Sequence, residues 1–127
     1  MPAADRPPIF RVPISEAEKI MSEYIQVTTT VAQKEEAKAI AEAVLESRLA
    51  ACVQIVGPIT SMYWWDDDID KSSEYLCIIK SRQDNYAELE KAIRTAHSYD
   101  VPEIIAVPIT AGSKDYLTWL DSEMNKK

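Results

Sequence analysis

From residue 23 onward the chain switches repeatedly between two spacings of apolar residues. "YIQVTT", residues 24 to 29, is rich in β-branched and aromatic side chains and predicts a first strand. Ala37, Ile40, Ala41, Val44 and Leu45 then recur on one helical face, with Lys34, Glu35, Lys38, Glu42 and Glu46 mainly opposite. Thr30 and Gln33 precede that run at the spacing of a capping box. "LAACVQIVGPITSMYWW", residues 49 to 65, predicts a long second strand, in which Gly57-Pro58 breaks the ladder and marks a bulge or bend. "SEYLCIIKS", residues 73 to 81, predicts a third strand, and the polar "DDDIDK" between them predicts the solvated tip of a hairpin. Tyr86, Leu89, Ile93 and Ala96 mark a second helix, with Asp84 or Asn85 as its cap. "EIIAVPI", residues 103 to 109, is a fourth strand, which Pro108 places at an edge or end. Tyr116, Leu117 and Leu120 mark a short last helix after Gly112-Ser113, with Trp119 beside that face.

The order β-α-β-β-α-β-α predicts an α+β fold, a ferredoxin-like βαββαβ sandwich with an extra C-terminal helix and a long hairpin between the second and third strands. That hairpin is too long for its own domain. Residues 50 to 65 extended would span about 50 Å at ~3.3 Å per residue, whereas a domain of this size has a radius of gyration near ~13 Å. Its distal part therefore projects, carrying Ile59, Met62, Tyr63, Trp64 and Trp65, apolar on both faces. Such a surface predicts self-association, unless the aromatics fold back on Trp119 and the last helix.

Composition narrows the function. The 127 residues fit one domain, from 22 to 127, preceded by an arm, residues 1–21, that holds four of the seven prolines and no sustained periodicity. Within the arm, Ser15 and Glu18 could cap a short helical turn. A net charge of −7 argues against nucleic acid or an anionic membrane as partner. Two cysteines and one histidine cannot build a Cys/His zinc site within one chain. Symmetric pairing about a tip near Asp68 places Cys77 opposite Thr60 and about 27 Å from Cys52, too far for a disulfide. Without an apolar span or a secretory leader, the expectation is a cytoplasmic, thiol-reduced protein. Asp66, Asp68 and Asp70 alternate as a calcium loop begins, but Lys71 stands where that loop needs glycine and Cys77 where it needs glutamate.

"LAACVQI", then Ser61, Tyr63 and Trp65, Glu74 and Lys80, "HSYDVPEI" from His97 and "YLTWL" from Tyr116 together resemble the CutA family of divalent-cation tolerance proteins. The resemblance covers about residues 23 to 122. It implies a ferredoxin-like subunit in a tight homotrimer with sheet edges paired between neighbours, linked to copper and other divalent metals, and with no firm enzymatic activity. Two departures stand out. Thr29 occupies the position where members proposed to bind copper have a cysteine, and Ala96-His97 replaces a His-His pair, with Ser98 in place of the following proline.

His97 is the candidate metal ligand, its alternative being a side chain that caps the second helix. Tyr63, Trp65, Lys80, Tyr99 and Glu103 are the candidate ligand-binding residues, in a cleft where an aromatic, a lysine, an imidazole and a carboxylate would converge. Glu103 could pair with His97 or Lys80, or simply fix its loop. The expected protein is a non-catalytic homotrimer of the metal-tolerance family. It requires no cofactor and binds Cu²⁺ or another divalent metal weakly. The alternative is a trimeric signalling or adaptor module of PII-like type. Acylphosphatases share the ferredoxin-like core, but with only Gly57 and Gly112 the chain lacks a glycine-rich loop to cradle phosphate.

Overall fold

The structure is a computed structural model that describes residues 23–126. The arm expected over residues 1–21 and its Ser15–Glu18 pattern lie outside them. Strand β1 (Tyr24–Val31) leads to helix α1 (Lys34–Glu46), then to strands β2 (Cys52–Trp65) and β3 (Asp68–Arg82). A 3-10 turn (Gln83–Asn85) opens helix α2 (Tyr86–Ala96), followed by strand β4 (Ile104–Pro108) and helix α3 (Lys114–Met124). The four strands form one sheet in the order β2-β3-β1-β4, every neighbouring pair antiparallel. Pro108 ends an edge strand, where its missing N–H disturbs no ladder.

Alternation along the strands decides what each face buries. Ile25, Val27 and Val31 of β1 and Cys77 and Ile79 of β3 meet Ala37, Ile40 and Val44 of α1 and Leu89 and Ile93 of α2 in one core. The opposite face is covered only at one end, where Tyr24 packs with Leu117, Leu120 and Met124 of α3. Helix α3 begins after Gly112-Ser113 as expected, and Ser113 is its N-cap, its Oγ accepting the Tyr116 N–H at 3.3 Å. Helix α1 ends in a Schellman motif, the Leu49 N–H reaching the Val44 carbonyl and the Arg48 N–H that of Leu45. Arg48 takes the left-handed position there, φ 61°, and its guanidinium is held by Glu123 at 3.3 Å.

Several local expectations are corrected. Gln33, not Thr30, is the N-cap of α1, and it makes no side-chain cap; Thr30 stays in β1, whose pairing with β3 continues to Val31. Leu45 is exposed. Asn85, one of the two expected caps, is the N-cap residue of α2 but makes no side-chain cap, its amide reaching the Leu49 carbonyl instead, and Asp84 pairs with Arg82. The hairpin tip shrinks to Asp66-Asp67, both at positive φ (50° and 66°), the two-residue turn whose twist matches antiparallel strands. Aspartate tolerates this region better than most side chains, which accounts for the residue type. The tight tip moves the register, so Cys77 faces Ile55 rather than Thr60, and Cys52 faces Lys80. The two thiols are thus about 10 Å apart along the strands rather than 27 Å, on opposite faces, and both are free.

Candidate functional site

The bulge creates the site. Gly57 and Pro58 together oppose Tyr75, so the pairing passes from Val56↔Leu76 to Ile59↔Glu74. Directly opposed residues share a face, so the extra residue reverses the phase of β2. Beyond it Ser61, Tyr63 and Trp65 stand on the same face as Ser72, Asp70 and Asp68, together with Glu74. The segment between α2 and β4 closes against this surface, and the two enclose a cleft of about 800 Å³ lined by Tyr63, Trp65, Asp70, Glu74, Tyr99 and Glu103 among others.

Glu74 is the best buried of these groups, 6% exposed. The Tyr99 hydroxyl donates to its Oε2 at 2.8 Å. Burial, then the hydrogen bond to Glu74 and its negative charge, pushes the Tyr99 hydroxyl up to about 12. The Tyr63 hydroxyl and Ser72 Oγ are hydrogen bonded at 2.8 Å across the hairpin. Glu103 makes no ion pair among the described residues, and its carboxylate is exposed.

Of the six residues expected in the site, Tyr63, Trp65, Tyr99 and Glu103 line the cleft; Lys80 and His97 do not. Lys80 lies six residues along β3 from Glu74 and donates from Nζ to Gln54 Oε1 at 2.9 Å. The expected pairing of Glu103 with Lys80 or His97 is therefore not formed.

His97 is a buried structural group, its side chain 0% exposed. Its Nδ1 accepts the Tyr99 N–H at 3.1 Å, which leaves the proton on Nε2, 2.9 Å from the Thr30 carbonyl. Both ring nitrogens, expected as candidate metal ligands, are thus engaged in hydrogen bonds within the subunit. The ring does not cap α2; it ties the start of the following segment to β1. Ser98, standing in place of proline, supplies an N–H and a hydroxyl, both donating to the Glu36 carboxylate at 2.8 and 3.1 Å. Sequence reasoning could not see this, because Thr30 and Glu36 are more than sixty residues away.

The donor set does not fit copper. Among the described residues no three His, Cys, Asp or Glu side chains converge as metal ligands do. Burial pushes the Cys77 thiol up to about 11, with Glu36 nearby acting in the same direction, so the thiolate a soft metal needs is disfavoured. Thr29, opposite Cys77 in the ladder, is fully buried and its Oγ1 has no hydrogen-bond partner among the described residues.

Among the lining residues that sequence reasoning left out, Glu74 is the most deeply buried. Its signal was available: a carboxylate opening an otherwise apolar run, "EYLCIIK", on a strand expected to be half buried.

Residues 25–123 match the family model for the CutA1 divalent ion tolerance protein. The chain belongs to the CutA family. A divalent-cation tolerance protein CutA of Archaeoglobus fulgidus is 41% identical over 101 residues, 80% of this chain and 96% of that protein. The chloroplastic CutA of Arabidopsis thaliana is 46% identical over 96 residues, 76% of this chain but 53% of that protein. The chain thus spans about half the length of the plant CutA relatives it matches. Among solved structures, rice CutA1 superposes with TM-score 0.80 at 39% identity, covering 85% of this chain and 99% of that one. The periplasmic divalent cation tolerance protein CutA of A. fulgidus gives 0.78 at 38% identity, over 80% and 99%. The mixed fold of one antiparallel sheet and three helices is the CutA fold.

Proposed function

We propose that this CutA protein acts without catalysis as a homotrimer of ferredoxin-like subunits, in the divalent-cation tolerance role its relatives are named for. The cleft beneath the hairpin then lies between subunits and recognises a small ligand. The observation that carries this is the unpartnered apolar surface. Met62, Trp64, Trp65 and Ile69 of the projecting hairpin are 60–73% exposed, and Val56, Ile105 and Val107 lie open on the sheet face that α3 leaves uncovered. The hairpin does not fold back on the last helix, where Trp119 instead stacks on Tyr116 at 5.7 Å. Apolar exposure on this scale belongs to an interface, and the partner proposed is a second and third copy of the chain, not nucleic acid or membrane. No cofactor is required, and a divalent metal such as Cu²⁺ binds weakly, through exposed carboxylates. Two free thiols suit a reducing, cytoplasmic compartment. Light scattering at micromolar concentration should give three times the chain mass, and Trp65→Asp should lower it or unfold the protein. A monomer mass for the unmodified chain would sink the reading.

A further inference from the structure

Lys80 stands in an apolar setting. Direct pairing across the sheet puts it in one row with Cys52, Gln26 and Val107, on the face that α3 leaves bare. Val56, Ile105 and Val107 on that face are 45–54% exposed. The strands carry three cations, Lys71, Lys80 and Arg82, and only Lys80 is left to this surface. Lys71 lies opposite Met62 on the other face of the hairpin, and Arg82 is bound by Asp84 and Asp121. The Lys80 Nζ donates to Gln54 Oε1 at 2.9 Å and pairs with no carboxylate among the described residues.

Opposite charge stands at the far end of the same face. Glu74 lies six residues along β3 from Lys80, about 20 Å away, and the even spacing keeps both on one side of the sheet. Beside Glu74, Glu103 lines the cleft just before β4, exposed and in no ion pair among the described residues. Within the subunit the two charges cannot meet.

The homotrimer proposed above covers this face, and covering it takes Lys80 out of water. A desolvated ammonium needs a carboxylate, and its own chain brings none, so the partner subunit has to supply it. In a ring of three every contact is head to tail, one end of a subunit's face against the other end of the next. A cation and a carboxylate at opposite ends are what such a contact brings together. We infer that Lys80 of each subunit pairs with Glu103 of the partner subunit, so that the cleft is completed by a cation from the next chain. This rests on the homotrimer reading and names the pair that fixes the register of its contact.

The test uses the full-length protein and reads assembly by sedimentation across a dilution series. Lys80→Glu and Glu103→Lys should each raise the concentration at which the trimer dissociates by about thirtyfold or more, since each sets like charges together in a covered place. Combining Lys80→Glu with Glu103→Lys restores opposite charges and should return assembly to within about tenfold of the unmodified chain. Because a single charge reversal can also disturb folding, the double variant decides. A folded trimer supports the pair, whereas a double variant no better than the singles would overturn it. Single variants that assemble as the unmodified chain does would overturn it as well, with the homotrimer left standing. A monomeric unmodified chain would overturn the homotrimer and the pair together.

Discussion

Replacing His97 by alanine should damage the fold and leave metal binding untouched. The imidazole is fully buried, holds the Thr30 carbonyl and the Tyr99 N–H, and packs against the Tyr99 ring with centroids 4.9 Å apart. Each hydrogen bond contributes about 0.5–1.5 kcal/mol net, and the loss leaves two part-buried backbone groups without these partners. Deleting the ring also leaves a cavity beside Tyr99, and together the terms give about 3 kcal/mol of destabilisation. That is about a hundredfold in the folded-to-unfolded ratio, a large share of the stability of a domain this size. Urea unfolding at one fixed protein concentration would show it as a lower midpoint with an unchanged slope; the fixed concentration matters because assembly contributes to apparent stability. A Cu²⁺ titration of both proteins by calorimetry supplies the second arm, with equal, weak heats expected. An unchanged urea midpoint together with lost copper binding would refute the structural role argued for this side chain and restore it as a ligand.

Alkaline pH should destabilise the protein through Tyr99. Its hydroxyl sits near 10 in the unfolded chain and at about 12 in the fold, so the stability it contributes is complete below pH 10 and lost as pH rises to 12; Tyr99→Phe should flatten that part of a melting-temperature profile, and an identical slope in the variant would count against the Glu74 contact. Gly57→Ala should cost about 1–3 kcal/mol, because a Cβ there would lie 2.9 Å from Cε2 of the Tyr75 ring, inside its van der Waals envelope. Combining it with Tyr75→Leu should cost less than the sum of the single changes in urea melts, and strict additivity would show that the ring is not the obstacle.

What the sequence determined by itself is what depends on neighbours close along the chain. Ala37, Ile40, Ala41 and Val44 repeat at helical spacing, so one face of α1 had to be buried whatever it met. Strands β1 and β3, the edge or end position of Pro108 and the start of α3 after Gly112-Ser113 were legible for the same reason. So was the length of the hairpin, since chain reach is fixed by bond geometry. The tertiary structure decided everything that depends on register and on distant partners. One extra residue at Gly57-Pro58 reversed the phase of β2 and put Tyr63 and Trp65 on the face of Glu74, and the two-residue turn at Asp66-Asp67 set which residues oppose each other. A slip of one position reverses a strand's faces, and composition carries little trace of it. His97 makes the same point from the other side. Its residue type suggested metal chemistry, but Thr30, 67 residues away, meets it only in the folded chain, and with the neighbouring Tyr99 N–H it engages both nitrogens of the imidazole.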